Sequence, residues 1–227
     1  MSPSIRELAL RLTLAEGGWL EQAAEAAGRL SDVDRRACLA LLHGQRLIPL
    51  VTHRLERADL TAHAGIGGPE TFSDEIQSWK EITRRLRLVH LQVSRCLDRS
   101  GIEVIGLKGA DLAWNLYPEP WLRPQRDLDL LVPETRLAEA LQRLEEMGCR
   151  LDEGSRHPAH PGFWWHHHCT LVHPLGVKLE LHRGLWRMPV DRWPRDFSLR
   201  GDFHDPGSME RYRRRQGELL FLSLIHI

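Results

Sequence analysis

Arg126-Asp127-Leu128-Asp129-Leu130-Leu131-Val132 sets two carboxylates two positions apart in a run that otherwise reads as a buried strand. Successive side chains on a strand alternate faces, so Asp127 and Asp129 project to one side. Leu128, Leu130 and Val132 project to the other, toward a core. The apolar Leu130-Leu131-Val132 that follows predicts burial on both faces. Two carboxylates a few Å apart repel each other unless a cation sits between them, and their hard oxygens favour Mg²⁺ or Mn²⁺. Such a pair points to a metal site for phosphoryl or nucleotidyl transfer.

Two further segments extend the pattern. Upstream, Val104-Ile105-Gly106-Leu107-Lys108-Gly109-Ala110 is an apolar run that ends in a glycine turn. Downstream, Val177-Lys178-Leu179-Glu180-Leu181-His182 is a second alternating strand. Lys178, Glu180 and His182 share one of its faces, so Glu180 is placed to supply a third carboxylate from a neighbouring strand. His167–His173 and 177–182 read as a hairpin around Pro174-Leu175-Gly176.

The ordered set LKGADLAWNLYPEPWLRPQRDLDLLV and then GVKLELHRGL resembles the uncharacterised nucleotidyltransferase family of the polymerase-beta-like superfamily, over roughly residues 100 to 186. The resemblance implies an α/β (α+β) fold: a small mixed β-sheet nucleotidyltransferase core with flanking helices. It implies Mg²⁺ or Mn²⁺ held by Asp127, Asp129 and Glu180, with Glu180 also a candidate base on the acceptor hydroxyl. It implies a nucleoside triphosphate donor, with ATP the expected one. Superfamily members carry a Gly-Ser pair where this chain has Gly109-Ala110 behind Lys108, so the serine hydroxyl is missing. A helix opening there still offers free N–H groups to phosphate, and Lys108 adds a point charge. Arg123 and Arg126 are candidate phosphate contacts, because the guanidinium fork matches phosphate. The plainer reading of Arg126 is an ion partner for the Asp pair.

The 227 residues suffice for one large or two small domains, and 42% hydrophobic with 27% charged content is ordinary for a globular chain. The 31 basic and 31 acidic residues balance, so net charge favours neither nucleic acid nor an acidic membrane. Cys38, Cys96, Cys149 and Cys169 show no CxxC spacing, which suits a reducing, cytoplasmic setting. No signal peptide is read at the N-terminus, and no run of about 18 apolar residues spans a membrane.

Residues 1–100 are expected to be a helical N-terminal region, 101–186 the nucleotidyltransferase-like core and 187–221 the start of a truncated C-terminal segment. Within the first, Gly17-Gly18 interrupts an amphipathic helix, Ser31 or Asp32 caps the next, and Pro49 is expected to end or kink it. Residues 60–70 read as a loop, and Ile76, Trp79, Ile82, Leu86, Val89, Val93 and Cys96 mark a long helix stopped near Gly101. Leu222-Ser223-Leu224-Ile225-His226-Ile227 reads as the translation of a transposon-end sequencing adapter, so the native frame is expected to continue past about residue 221.

His166, His167, His168, His173 and His182 with Cys169 suggest zinc, but their spacing along the chain fits no zinc pattern, and His168 and His182 are instead expected to line the catalytic face. Trp164 and Trp165 read as packing, and Arg211–Arg215 as a solvated helix face. The acceptor is left open between a small molecule, a protein side chain and an RNA end. Two other functions fit the same residues: an inactive nucleotide-binding module, and a metal-dependent phosphodiesterase or nuclease.

Overall fold

The computed structural model of the chain describes residues 4–158, 160 and 168–183. His166, His167, Trp164, Trp165, the segment from residue 187 on, Arg211–Arg215 and the tail 222–227 lie outside the described residues. The chain divides into two compact units, Met1–Arg84 with Leu112–Gln125, and Arg85–Asp111 with Arg126–Ile227.

In the first unit α1 (Ile5–Leu14), α2 (Gly18–Gly28), α3 (Asp32–Gly44), α4 (Ile48–Arg57) and α5 (Thr61–Ala64) surround one apolar core. Leu8, Leu12, Ala24, Ala27, Cys38, Leu42, Ile48, Val51 and Leu55 are buried in it. The Ser4 hydroxyl caps α1 by accepting from Glu7 N–H, and the Ser31 hydroxyl caps α3 by accepting from Asp34 N–H, so Ser31 is the cap rather than Asp32. Two expectations need correction. Pro49 does not end a helix; it lies in the first turn of α4, where the missing N–H has no intrahelical partner to lose. The loop expected over 60–70 contains the single turn α5, and the backbone of α5 passes α2 at Gly28, where a Cβ would meet the His63 carbonyl oxygen.

Helix α6 (Ser73–Arg99) starts in the first unit and ends in the second. It stops as the glycine signal predicts: Gly101 takes φ 63°, and Ile102 N–H donates back to the Leu97 carbonyl at 2.9 Å. The second unit is built on a five-stranded sheet in the order β1-β2-β5-β4-β3. Its strands are β1 (Ile105–Gly106), β2 (Asp127–Leu131), β3 (Arg150–Leu151), β4 (His168–Val172) and β5 (Lys178–His182). The β2–β5 pair is parallel, and the other three pairs are antiparallel. A parallel pair needs a crossover, and here α8 (Leu137–Glu146) lies in it, burying Leu137, Ala140, Leu141 and Leu144 and packing on β5. Helix α7 (Lys108–Asn115) follows β1. The strand expected over 102–107 shrinks to two residues, because β1 pairs with β2 only at Ile105 and Gly106.

The sheet alternates as its sequence requires. Leu128, Leu130, Cys169, Leu171, Leu179 and Leu181 form one face, all fully buried. None of the described helices is long and apolar enough to cross a membrane. Leu179→Ala is expected to lower the unfolding free energy by about 2–5 kcal/mol, since it leaves a cavity in that face. Leu14→Ala at an exposed position is expected to cost less than about 0.5 kcal/mol. Urea denaturation of the two variants checks both figures.

Candidate functional site

The polar face of the sheet is fixed by register. Asp127 pairs with Lys178, Asp129 with Glu180 and Leu131 with His182 across the parallel β2–β5 ladder. Across the antiparallel β5–β4 ladder, Glu180 pairs with Thr170 and His182 with His168. Paired residues point the same way, so Asp129, Glu180, Thr170, His182 and His168 share one patch spanning three strands. Burial deepens along β2: Asp127 is exposed, Asp129 is 7% exposed and Leu131 is fully buried.

Two carboxylates side by side on adjacent strands repel, and the structure answers this with a histidine. His182, 2% exposed, places Nε2 at 3.0 Å from Asp129 Oδ1 and 3.3 Å from Glu180 Oε2. The hydrogen bond from His182 holds the Glu180 carboxyl below its ordinary value, while burial and the neighbouring Asp129 charge push the other way. The histidine therefore outweighs the second carboxylate. The His168 ring lies 5.0 Å from the His182 ring, tilted by 41°.

The main chain brings a third piece to the same place. Leu107 N–H donates to the Asp129 carbonyl at 2.8 Å, and Lys108 opens α7 directly after it. The free N–H groups of the first turn of α7, at Lys108 and Gly109, therefore start one residue from a backbone contact with Asp129. At the other end of β2, Val132 N–H donates to the His182 carbonyl at 3.0 Å and extends the β2–β5 pairing.

The structure thus brings Asp129 and Glu180 together, sets Asp127 two residues before on the same face, and starts α7 beside the strand. Arg126 is exposed immediately before β2. Arg123 follows the 3-10 turn Pro120–Leu122 in the other unit, with a buried Nε that lacks a hydrogen-bond partner. Sequence spacing left His182 as a residue lining the face, whereas it stands between the two carboxylates. Lys178 is tied to Asp152 at 3.2 Å on the surface. Cys169 belongs to the opposite, apolar face, and burial pushes its thiol up to about 12, so it takes no part in the patch.

Among the described residues, one His/Glu group could hold a metal: His168, Glu180 and His182 offer one ligand atom each, all within 4.8 Å of one another. A family model described as an uncharacterised nucleotidyltransferase matches residues 31–207. No curated protein and no solved structure matches the chain.

The Glu180 balance gives a signed pH expectation. A depressed carboxyl stabilises the fold above the unfolded glutamate value of about 4.3, and that contribution is lost as pH falls through the lower folded value. Removing Asp129 takes away an influence that raises the Glu180 pKa. Carbon NMR titration is therefore expected to show the Glu180 midpoint below that of a free glutamate, and lower still in Asp129→Ala. An upward movement in the variant would contradict the account.

Proposed function

Because the chain belongs to the uncharacterised nucleotidyltransferase family, we propose that it moves a nucleoside monophosphate from a nucleoside triphosphate to a hydroxyl or amine acceptor, in a Mg²⁺- or Mn²⁺-dependent reaction. Within that reading, residues 101–186 are the transferring core, ATP is the donor and the setting is cytoplasmic. The observation that carries it is the in-register pairing of Asp129 with Glu180 on parallel strands, with Asp127 on the same face. The donor set fits a divalent cation: hard carboxylate oxygens, crowded enough that Asp129 opposes ionisation of Glu180.

Asp127, Asp129 and Glu180 hold the metal in this reading. When bound, such an ion neutralises charge on the transferring group and lowers the pKa of an attacking hydroxyl. The chain's own residues do the rest. The first turn of α7, at Lys108 and Gly109, receives the triphosphate on its N–H groups. Arg126, immediately before β2, is the proposed cationic partner of the outer phosphates. Glu180, kept ionised by His182, takes the acceptor's proton. The acceptor oxygen or nitrogen bonds to the α-phosphorus, the bond to the β-phosphate oxygen breaks, and pyrophosphate leaves.

One observation favours a second reading, a nucleotide-binding module without turnover. Ala110 stands where the superfamily's helix-opening serine would, which removes a phosphate-gripping hydroxyl.

The experiment uses Mg²⁺ and each of four α-phosphate-labelled nucleoside triphosphates, with a cell extract as acceptor source. The expected result is label transfer by the chain, reduced at least about 100-fold in Asp127→Ala/Asp129→Ala, on the scale of losing a principal electrostatic contribution to catalysis. Mg²⁺-dependent nucleotide binding without transfer would select the binding module. Release of nucleotide from oligonucleotides with no triphosphate required would select a nuclease.

A further inference from the structure

The polar face holds nitrogen donors that a carboxylate-only magnesium site does not need. His168 and His182 oppose each other on antiparallel strands, and Glu180 lies two residues before His182 on the same face. Directly opposed residues have Cβ atoms only about 4.5–5.5 Å apart, which lets two imidazoles converge on one point. Their ring centroids are 5.0 Å apart, and the 41° tilt is not the parallel overlap of a stacked pair. One ligand atom from each of His168, Glu180 and His182 lies within 4.8 Å of the others.

We propose that His168, Glu180 and His182 form a binding site for a divalent transition-metal cation of the zinc class. Two imidazoles and one carboxylate are a donor set for Zn²⁺ with a fourth position left open. The same set disfavours Mg²⁺, which takes oxygen ligands and keeps its waters. Asp129 borders the group, its carboxylate 3.0 Å from His182 Nε2. Burial of His182 fixes the imidazole, while His168 and Glu180 are partly exposed. Glu180 then belongs both to this site and to the proposed transfer centre, so the ion on the β5 side is nitrogen-ligated. That role in transfer rests on the reading above, whereas binding of the ion does not.

The probe is Co²⁺, added to the full chain after chelator treatment and followed by its visible d–d absorption. The expected result is one equivalent bound, displaced by Zn²⁺ and retained in a large excess of Mg²⁺. His182 is buried and its variants risk misfolding, so His168→Ala is the primary variant, with circular dichroism as the fold control. It is expected to weaken Co²⁺ binding by more than the 10–100-fold that loss of an outer-sphere partner costs. Asp127→Ala is expected to keep the Co²⁺ spectrum, since Asp127 pairs with Lys178 and lies outside the donor group. Displacement by Mg²⁺, or unchanged affinity in a folded His168→Ala, would overturn the proposal. Transfer of label in a protein with no Co²⁺ site would defeat this proposal alone. A Co²⁺ site in a protein that transfers nothing would support it and defeat the transfer reading.

Discussion

Asp129 and Glu180 are held opposite each other by the hydrogen-bond register of two parallel strands. Neither can move away without a slip of the ladder, and a one-residue slip would turn every side chain of β5 to the other face. The slip is blocked by Leu128, Leu130, Leu179 and Leu181, whose burial on the apolar face depends on that register. The hydrophobic effect on one side of the sheet thus imposes electrostatic crowding on the other. A charge cluster of this kind must be relieved locally, and His182 supplies the relief among the chain's own groups.

The surrounding elements converge on the same point through the backbone. The short β1 ends with the Leu107 bond to the Asp129 carbonyl, so the start of α7 is pinned to the strand that carries the aspartates. The crossover that makes β2 and β5 parallel contains α8, which packs on β5 and keeps the pair covered. The turn at 174–176 sets β4 against β5 so that His168 meets His182 and Thr170 meets Glu180. The polar patch on three strands therefore depends on one crossover helix, one tight turn and one backbone hydrogen bond.

Much of this was legible from residue types. Period-two alternation placed β2, β4 and β5 within a residue of their observed ends, and the i, i+2 carboxylates fell on one face as expected. The periodic apolar residues of α6 and its glycine stop were equally plain. Local pattern failed where a signal has two meanings. A proline can end a helix or open one, and Pro49 opens α4 because the chain turns at Arg46, which has φ 58°. Asp127 and Asp129 look alike in sequence, yet one is exposed and the other buried, because burial depends on which residues of β5 lie alongside. The hairpin centred on Leu175 puts His168 and His182 equally far from its middle, so their pairing is legible in the sequence. The approach of His182 to both Asp129 and Glu180 is not, because it depends on side-chain geometry that spacing along the chain does not give. The grouping of Leu112–Gln125 with Met1–Arg84 rests on contacts distant in sequence, and no short-range pattern encodes it.

In the proposed reaction the Asp129–Glu180 pair is a cation site used with a nucleotide. The most direct test is electron paramagnetic resonance of Mn²⁺ titrated into the full chain with a non-hydrolysable nucleoside triphosphate. The same titration is run on a folded Asp129→Asn/Glu180→Gln variant. The account predicts nucleotide-dependent uptake of Mn²⁺ by the natural chain and at least about a 100-fold weaker uptake by the variant, a loss of about 2.7 kcal/mol. Equal Mn²⁺ uptake by the two proteins would contradict it.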